Sequence, residues 1–227
     1  MNKENLNNKL LKAIVENDVD KFKYILNNEL LLLDDLYHSY KKALLNGKYK
    51  FICCIIDDDN IFKHIPNSYI GDTLNKAIPE NEYTVIKKIY ENRNINIKEI
   101  ITSSEANYLF KYAVNSSHWG IIEVMLMDDR IDVVYQNNKL LRYAAHFGHT
   151  NVVEKILKYP NVDPSANNNE ALNNICFIYS RKDIAKLLFK DYRLNLKGLK
   201  NCPKIDIKDY KLPLLKLSLF KLCKLKD

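Results

Sequence analysis

The chain repeats one arrangement of apolar and polar positions. Taking Ala144 as origin, six segments align without a gap, with origins at Ala13, Ala43, Ala77, Ala113, Ala144 and Ile175, spaced by 30, 34, 36, 31 and 31 residues. Three before the origin stand Leu10, Tyr40, Leu74, Phe110, Leu141 and Leu172, and one after it stand Ile14, Leu44, Ile78, Val114, Ala145 and Cys176. With the origin itself these offsets run i, i+3, i+4, one face of a helix. A second such face follows at nine, twelve and thirteen after the origin. It is formed by Phe22, Ile52, Ile86, Ile122, Val153 and Ile184, then Ile25, Ile55, Ile89, Met125, Ile156 and Leu187, then Leu26, Ile56, Tyr90, Leu126, Leu157 and Leu188. All 36 slots are apolar in a chain that is 47% hydrophobic. Chance would do this with a probability on the order of 10⁻¹², so the pattern is an internal repeat.

The pattern predicts an all-α chain of six helix–turn–helix units, at about 5–35, 36–66, 67–103, 104–134, 135–165 and 166–196. Helices of about ten residues are too short to be stable alone, so each apolar stripe must be buried against its partner helix and the neighbouring repeats. Alanine at the origin lets two helices approach closely. The turn between the two faces falls on Asn17, Gly47, Asn81, Ser117, Gly148 and Tyr179. Glycine and asparagine there tolerate left-handed backbone and end the first helix, and Tyr179 breaks that rule. After each second helix a polar residue sits beside β-branched ones, as in Arg130-Ile131-Asp132-Val133 and Asn161-Val162-Asp163-Pro164. That composition predicts a short extended turn into the next unit.

The period, the Ala-Ala-x-x-Gly-His segment at Ala144, Ala145, Gly148 and His149, and the helix bearing Val152, Val153 and Leu157 resemble the ankyrin repeat. The resemblance covers roughly residues 5–196. It implies an ankyrin-repeat solenoid of about six repeats that binds another protein through a concave face of turn tips and first helices. The Thr-Pro-Leu-His opening of that family is absent; the fifth repeat has Lys139-Leu140-Leu141-Arg142 in its place. The asparagine-rich style is similar to that of ankyrin proteins of large DNA viruses and social amoebae.

Composition agrees with helices. Five glycines and six prolines in 227 residues are too few for the turns of an all-β fold. The formal charge of +7 is uneven: residues 197–227 hold nine lysines and three aspartates, and the first 196 residues are almost neutral. A near-neutral repeat body lacks the basic stripe that nucleic acid requires. The basic segment from Lys211 suits an amphipathic helix starting at Pro213, read as a C-terminal cap on the repeats. The alternative reading is a peripheral contact with an anionic membrane or an acidic partner through this tail. The N-terminal residues contain no apolar signal segment, and no apolar run reaches the ~20 residues of a membrane span. Five cysteines with no Cys-x-x-Cys pair suit thiols in a reducing compartment, so a cytoplasmic protein is expected, host cytoplasm if viral, and a monomer.

Catalytic chemistry finds no constellation. There is no glycine-rich phosphate loop, and Asp57-Asp58-Asp59 reads as a solvated turn. His146 and His149 flank Gly148, and the ankyrin resemblance gives His149 a turn hydrogen bond in place of a metal. The expectation is a non-enzymatic binding module with no cofactor and no metal, binding an unidentified protein. Candidate contacts follow from helix geometry. Two and three residues after the origin, where solvent should favour polar side chains, stand His146, Phe147, Phe177 and Ile178. Tyr37, Tyr69 and Tyr135 are expected at the tips preceding first helices. Together these seven form the predicted partner-binding set.

Overall fold

The apolar slots become the interior. A computed structural model describes residues 6–28, 32–175 and 181–197. Within them every slot is buried except Tyr90, Leu157 and Leu187, which are half-buried, while Cys176 lies outside the described residues. Among the described residues there are fourteen helices and no strand.

Helices pack in sequential pairs. They are α1 (Leu6–Glu16) with α2 (Val19–Asn28), α3 (Leu33–Leu45) with α4 (Tyr49–Ile56), and α6 (Asn67–Ala77) with α7 (Tyr83–Glu91). The pairing continues with α9 (Ser103–Asn115) and α10 (Trp119–Met125), α11 (Tyr135–Phe147) and α12 (Thr150–Leu157), and α13 (Ala166–Ile175) and α14 (Lys182–Lys190). In each of the five described turns the residue four after the origin is left-handed: Asn17, Gly47, Asn81, Ser117 and Gly148 have φ of 58°, 63°, 60°, 58° and 83°. The next amide donates back to the origin carbonyl, as in Asp18 N to Ala13 O at 2.9 Å and His149 N to Ala144 O at 2.9 Å. The left-handed residue's own amide donates to the carbonyl one after the origin, 3.2 Å in Asn17 to Ile14 and in Gly148 to Ala145. This pair of bonds is the Schellman ending, which satisfies carbonyls that the helix terminus would otherwise strand.

Two connections differ from the expected extended turn. One-turn helices, α5 (Asp59–Phe62) and α8 (Ile97–Ile100), occupy them. They fall in the 34- and 36-residue intervals, so the surplus over the 30–31-residue intervals is taken up as helix. The side chains of Asp58 and Asn96 accept from backbone amides at their starts and nucleate the turn.

The chain divides into two compact units, Met1–Arg130 and Ile131–Asp227. In the first, α2, α4, α7 and α10 lie side by side in that order, and α1 packs on α3. In the second, α11 packs on α13 and α12 on α14. A buried carboxylate pins a connection in each unit. Asp128 grips Arg130, whose Nη1 donates to Ile101 O at 2.7 Å. Asp191 grips Arg193, which donates to the carbonyls of Tyr159 and Leu157 at 2.6 Å each. Burial opposes the charged form of Asp128, but the hydrogen bonds and charge of Arg130 outweigh it and hold the carboxyl below its usual range.

Candidate protein-binding surface

At 100° per residue, side chains two and three after the origin turn away from the buried stripe at the end of each first helix. There the structure exposes Val15, Leu45 and Phe147, at 70%, 66% and 48%. The predicted Phe147 is thus at the surface, as is His146. Val15 and Leu45, not in the predicted set, are more exposed still, and Tyr108 and Tyr112 add an exposed pair one turn apart on α9. Periodicity alone could have found them, since all occupy non-core offsets. Phe177, Ile178 and the tail lie outside the described residues.

Two of the three tyrosines expected at tips require correction. Tyr37 and Tyr69 lie within α3 and α6 and are half-buried, their rings 6.0 Å apart edge to face. The Tyr37 hydroxyl donates to His64 O at 2.8 Å. Tyr69 stacks obliquely on buried Tyr40 at 5.8 Å and its carbonyl accepts from Thr73. These rings join neighbouring helices of the first unit. Tyr135 is also half-buried, but it precedes three left-handed residues, Gln136, Asn137 and Asn138, and so stands ahead of the regular part of α11.

Tyr37 belongs to a column that the apolar pattern did not reveal. Six before the origin, four side chains bond to backbone in the connection that follows. Tyr37 reaches His64, Asn107 donates to Arg130 O at 2.9 Å, Asn138 accepts from Asp163 N at 3.2 Å, and Asn169 donates to Lys197 O at 2.8 Å. The residue types differ, so only the shared offset and the shared task identify the column.

Around Phe147 the last turn of α11 gathers rings and cations. The imidazole of His146 meets the Phe147 ring edge to face at 4.9 Å, and Tyr143 does so at 6.3 Å. Lys139 lies 5.0 Å from the Tyr143 ring centre, within cation–π range. From the start of α14, Arg181 Nη2 donates to Phe147 O at 2.9 Å. The guanidinium occupies the space beside Gly148 that a Cβ would fill. Burial, and then the charge of Arg181, push the His149 pKa below that of a free histidine. In the first unit another histidine ties adjacent pairs: His118 Nδ1 lies 3.0 Å from Ile78 O. Lys76 caps the end of α3 from the next pair, donating to Leu44 O and Leu45 O at 2.8 Å each.

The remaining polar clusters serve structure. Asp57 pairs with Lys88, and Asp59 accepts from Asn94 at 2.9 Å. Burial pushes the Cys53 thiol up to about 11, and Cys54 moves the same way. No group of three metal-ligating side chains occurs among the described residues, and no described helix is long and apolar enough to cross a membrane. No protein family, curated protein or solved structure matches the chain.

Proposed function

We propose that the chain is an ankyrin-type repeat protein, with no catalytic activity, that binds a protein partner through the exposed ends of its first helices. The observation that carries this reading is the cluster of Phe147, His146 and Tyr143 at positions the core does not use. A Phe ring 48% exposed on a helix end set by a hydrogen-bonded turn loses little conformational freedom on binding, and such aromatic anchors dominate interface energetics. The five Schellman turns at matched offsets support the repeat reading, because a protein with unrelated helices has no reason to share them.

The test separates anchor from core. Phe147→Ala is expected to shift unfolding free energy by less than about 1 kcal/mol and to weaken partner binding by about 1–3 kcal/mol. Binding partners captured by the full chain, and lost on Phe147→Ala with melting unchanged, support the reading. Capture that survives Phe147→Ala but fails without residues 201–227 would transfer recognition to the basic tail. A loss of ~3–5 kcal/mol in stability would make Phe147 a core residue.

A further inference from the structure

We infer that Arg142 and Glu170 form a latch coupling two left-handed turns, so that the tips of the fifth and sixth pairs open and close as one unit. The coupling goes beyond the protein-binding reading and stands whether or not a partner docks there.

Both tips are built on the same uncommon backbone. Gln136, Asn137 and Asn138, at the start of α11, have φ of 49°, 55° and 58°. Asn167, Asn168 and Asn169 stand at the same offsets before the next origin, with φ of 55°, 57° and 61°. Among the described residues no other three consecutive residues are left-handed. An L-residue in this region crowds its Cβ against the following carbonyl, and asparagine visits it as a single residue, not in series. Such a backbone persists where its surroundings over-determine it.

Two sets of contacts do so. Within each turn, the side chain two before the origin donates to the carbonyl seven before it. Arg142 Nε bonds Asn137 O at 3.2 Å, and Asn173 Nδ2 bonds Asn168 O at 2.8 Å. Arg142 Nη2 adds a bond to Gln136 O at 3.1 Å. Between the turns, Arg142 Nη1 donates to Glu170 Oε2 at 2.6 Å, and the same oxygen accepts from Asn167 Nδ2. One carboxylate oxygen thus joins the arginine that closes the first turn to the first residue of the second. Both side chains of the ion pair are largely shielded from water. Burial opposes the charge on Glu170, but the bonds from Asn167 and Arg142 outweigh it and hold the carboxyl below its usual range. The side-chain bonds of Glu170 go to Arg142, Asn167 and Asn174, and none goes to residues 136–138. Those of Arg142 go to Gln136, Asn137 and Glu170, and none to residues 167–169. The four exposed amide side chains of the tips, on Gln136, Asn137, Asn167 and Asn168, are therefore held by one network.

Amide hydrogen exchange read by NMR on the full chain tests the latch. The amides of Asn138 and Asn169 each close their own turn, donating to Val134 O at 3.0 Å and Ser165 O at 2.9 Å. The amide of buried Ile156 on α12 reports general loosening. Glu170→Ala should speed exchange at Asn138 roughly tenfold relative to Ile156, although Glu170 bonds no residue of that turn. Arg142→Ala should do the same at Asn169. Glu170→Gln keeps an acceptor oxygen and should restore part of the protection at Asn138. A Glu170→Ala chain in which only Asn169 exchanges faster, or in which Asn138 and Ile156 speed up equally, would make the turns independent and overturn the latch. Should the variants unfold, the native chain still decides. Coupled turns exchange at Asn138 and Asn169 with the same urea dependence, below that of global unfolding, and unequal dependences refute the coupling.

Discussion

Replacing Gly148 with alanine should cost more than its backbone conformation explains, and the excess should belong to Arg181. Gly148 has φ 83° and ψ 28°. A left-handed conformation costs an L-residue about 1–2 kcal/mol, partly offset by the ~0.4–1 kcal/mol that alanine gains through a less flexible unfolded chain. That leaves a conformational loss near 1 kcal/mol. The new methyl also falls on the Arg181 guanidinium, the movable end of a long side chain. The arginine swings away and gives up its bond to Phe147 O. Hydrogen bonds from charged donors contribute about 1.5–3 kcal/mol, and water reaching the exposed carbonyl recovers part of this. The total for Gly148→Ala is therefore about 2–3 kcal/mol. Gly47 provides an internal control. It is also left-handed, at φ 63°, but the nearest atoms to its Cβ position are 3.7 Å away, so Gly47→Ala should show the conformational loss alone. Urea unfolding of Gly148→Ala, Arg181→Ala and the double variant measures the coupling, expected at about 1–2 kcal/mol. Equal losses at Gly47 and Gly148, or a coupling below about 0.5 kcal/mol, would mean that the arginine is not seated on the glycine.

Arg130→Ala should destabilise the chain by ~3–5 kcal/mol in urea unfolding, because it leaves the buried carboxylate of Asp128 without its partner. Cutting the exposed Lys88–Asp57 pair with Lys88→Ala should change stability by less than about 1 kcal/mol. His149 titrates below its unfolded value of about 6.5, so the unfolded chain takes up the proton first and stability falls as pH drops through that value. A thermal melt series from pH 7.5 to 5 should show that slope reduced in His149→Asn; an unchanged slope would contradict the assignment.

Legibility in the sequence followed the kind of physics each position obeys. The slots three before, at and one after each origin, with those of the second helix, are apolar whatever their shape, so a two-letter pattern found them and their burial matches it. The left-handed turn was legible too, because Asn17, Gly47, Asn81 and Gly148 are residues that tolerate it, and Ser117 takes the same φ without announcing it. The column six before the origin was not legible. Tyr37, Asn107, Asn138 and Asn169 share a hydrogen-bonding reach to backbone about one repeat ahead, and neither hydropathy nor residue type encodes that reach. Aromatic residues were ambiguous for a related reason. Tyr37 and Phe147 both stand near a first helix, but only packing shows that one hydroxyl is tied to His64 while the other ring faces solvent. Arg181 could not be foreseen at all, since its place depends on a glycine 33 positions earlier in the chain.

The separation of these columns explains why a binding surface can be built at the ends of the first helices. The slot at the origin tolerates little: Ala144 is fully buried, and added methylenes there would force the helices apart. The residue four after it is confined to side chains that accept a left-handed backbone, and the one six before it reaches the next connection in four of the six pairs. Two and three after the origin, no such demand applies. Val15, Leu45 and Phe147 differ in size and shape, yet the turn that follows each has the same two hydrogen bonds. Sequence change there leaves helix packing and turn geometry intact, so on the proposed reading it is free to set recognition. In the fifth pair that freedom holds Phe147 beside an arginine fixed from the next pair, and the ring and the cation are presented on a frame that neither of them stabilises by core burial.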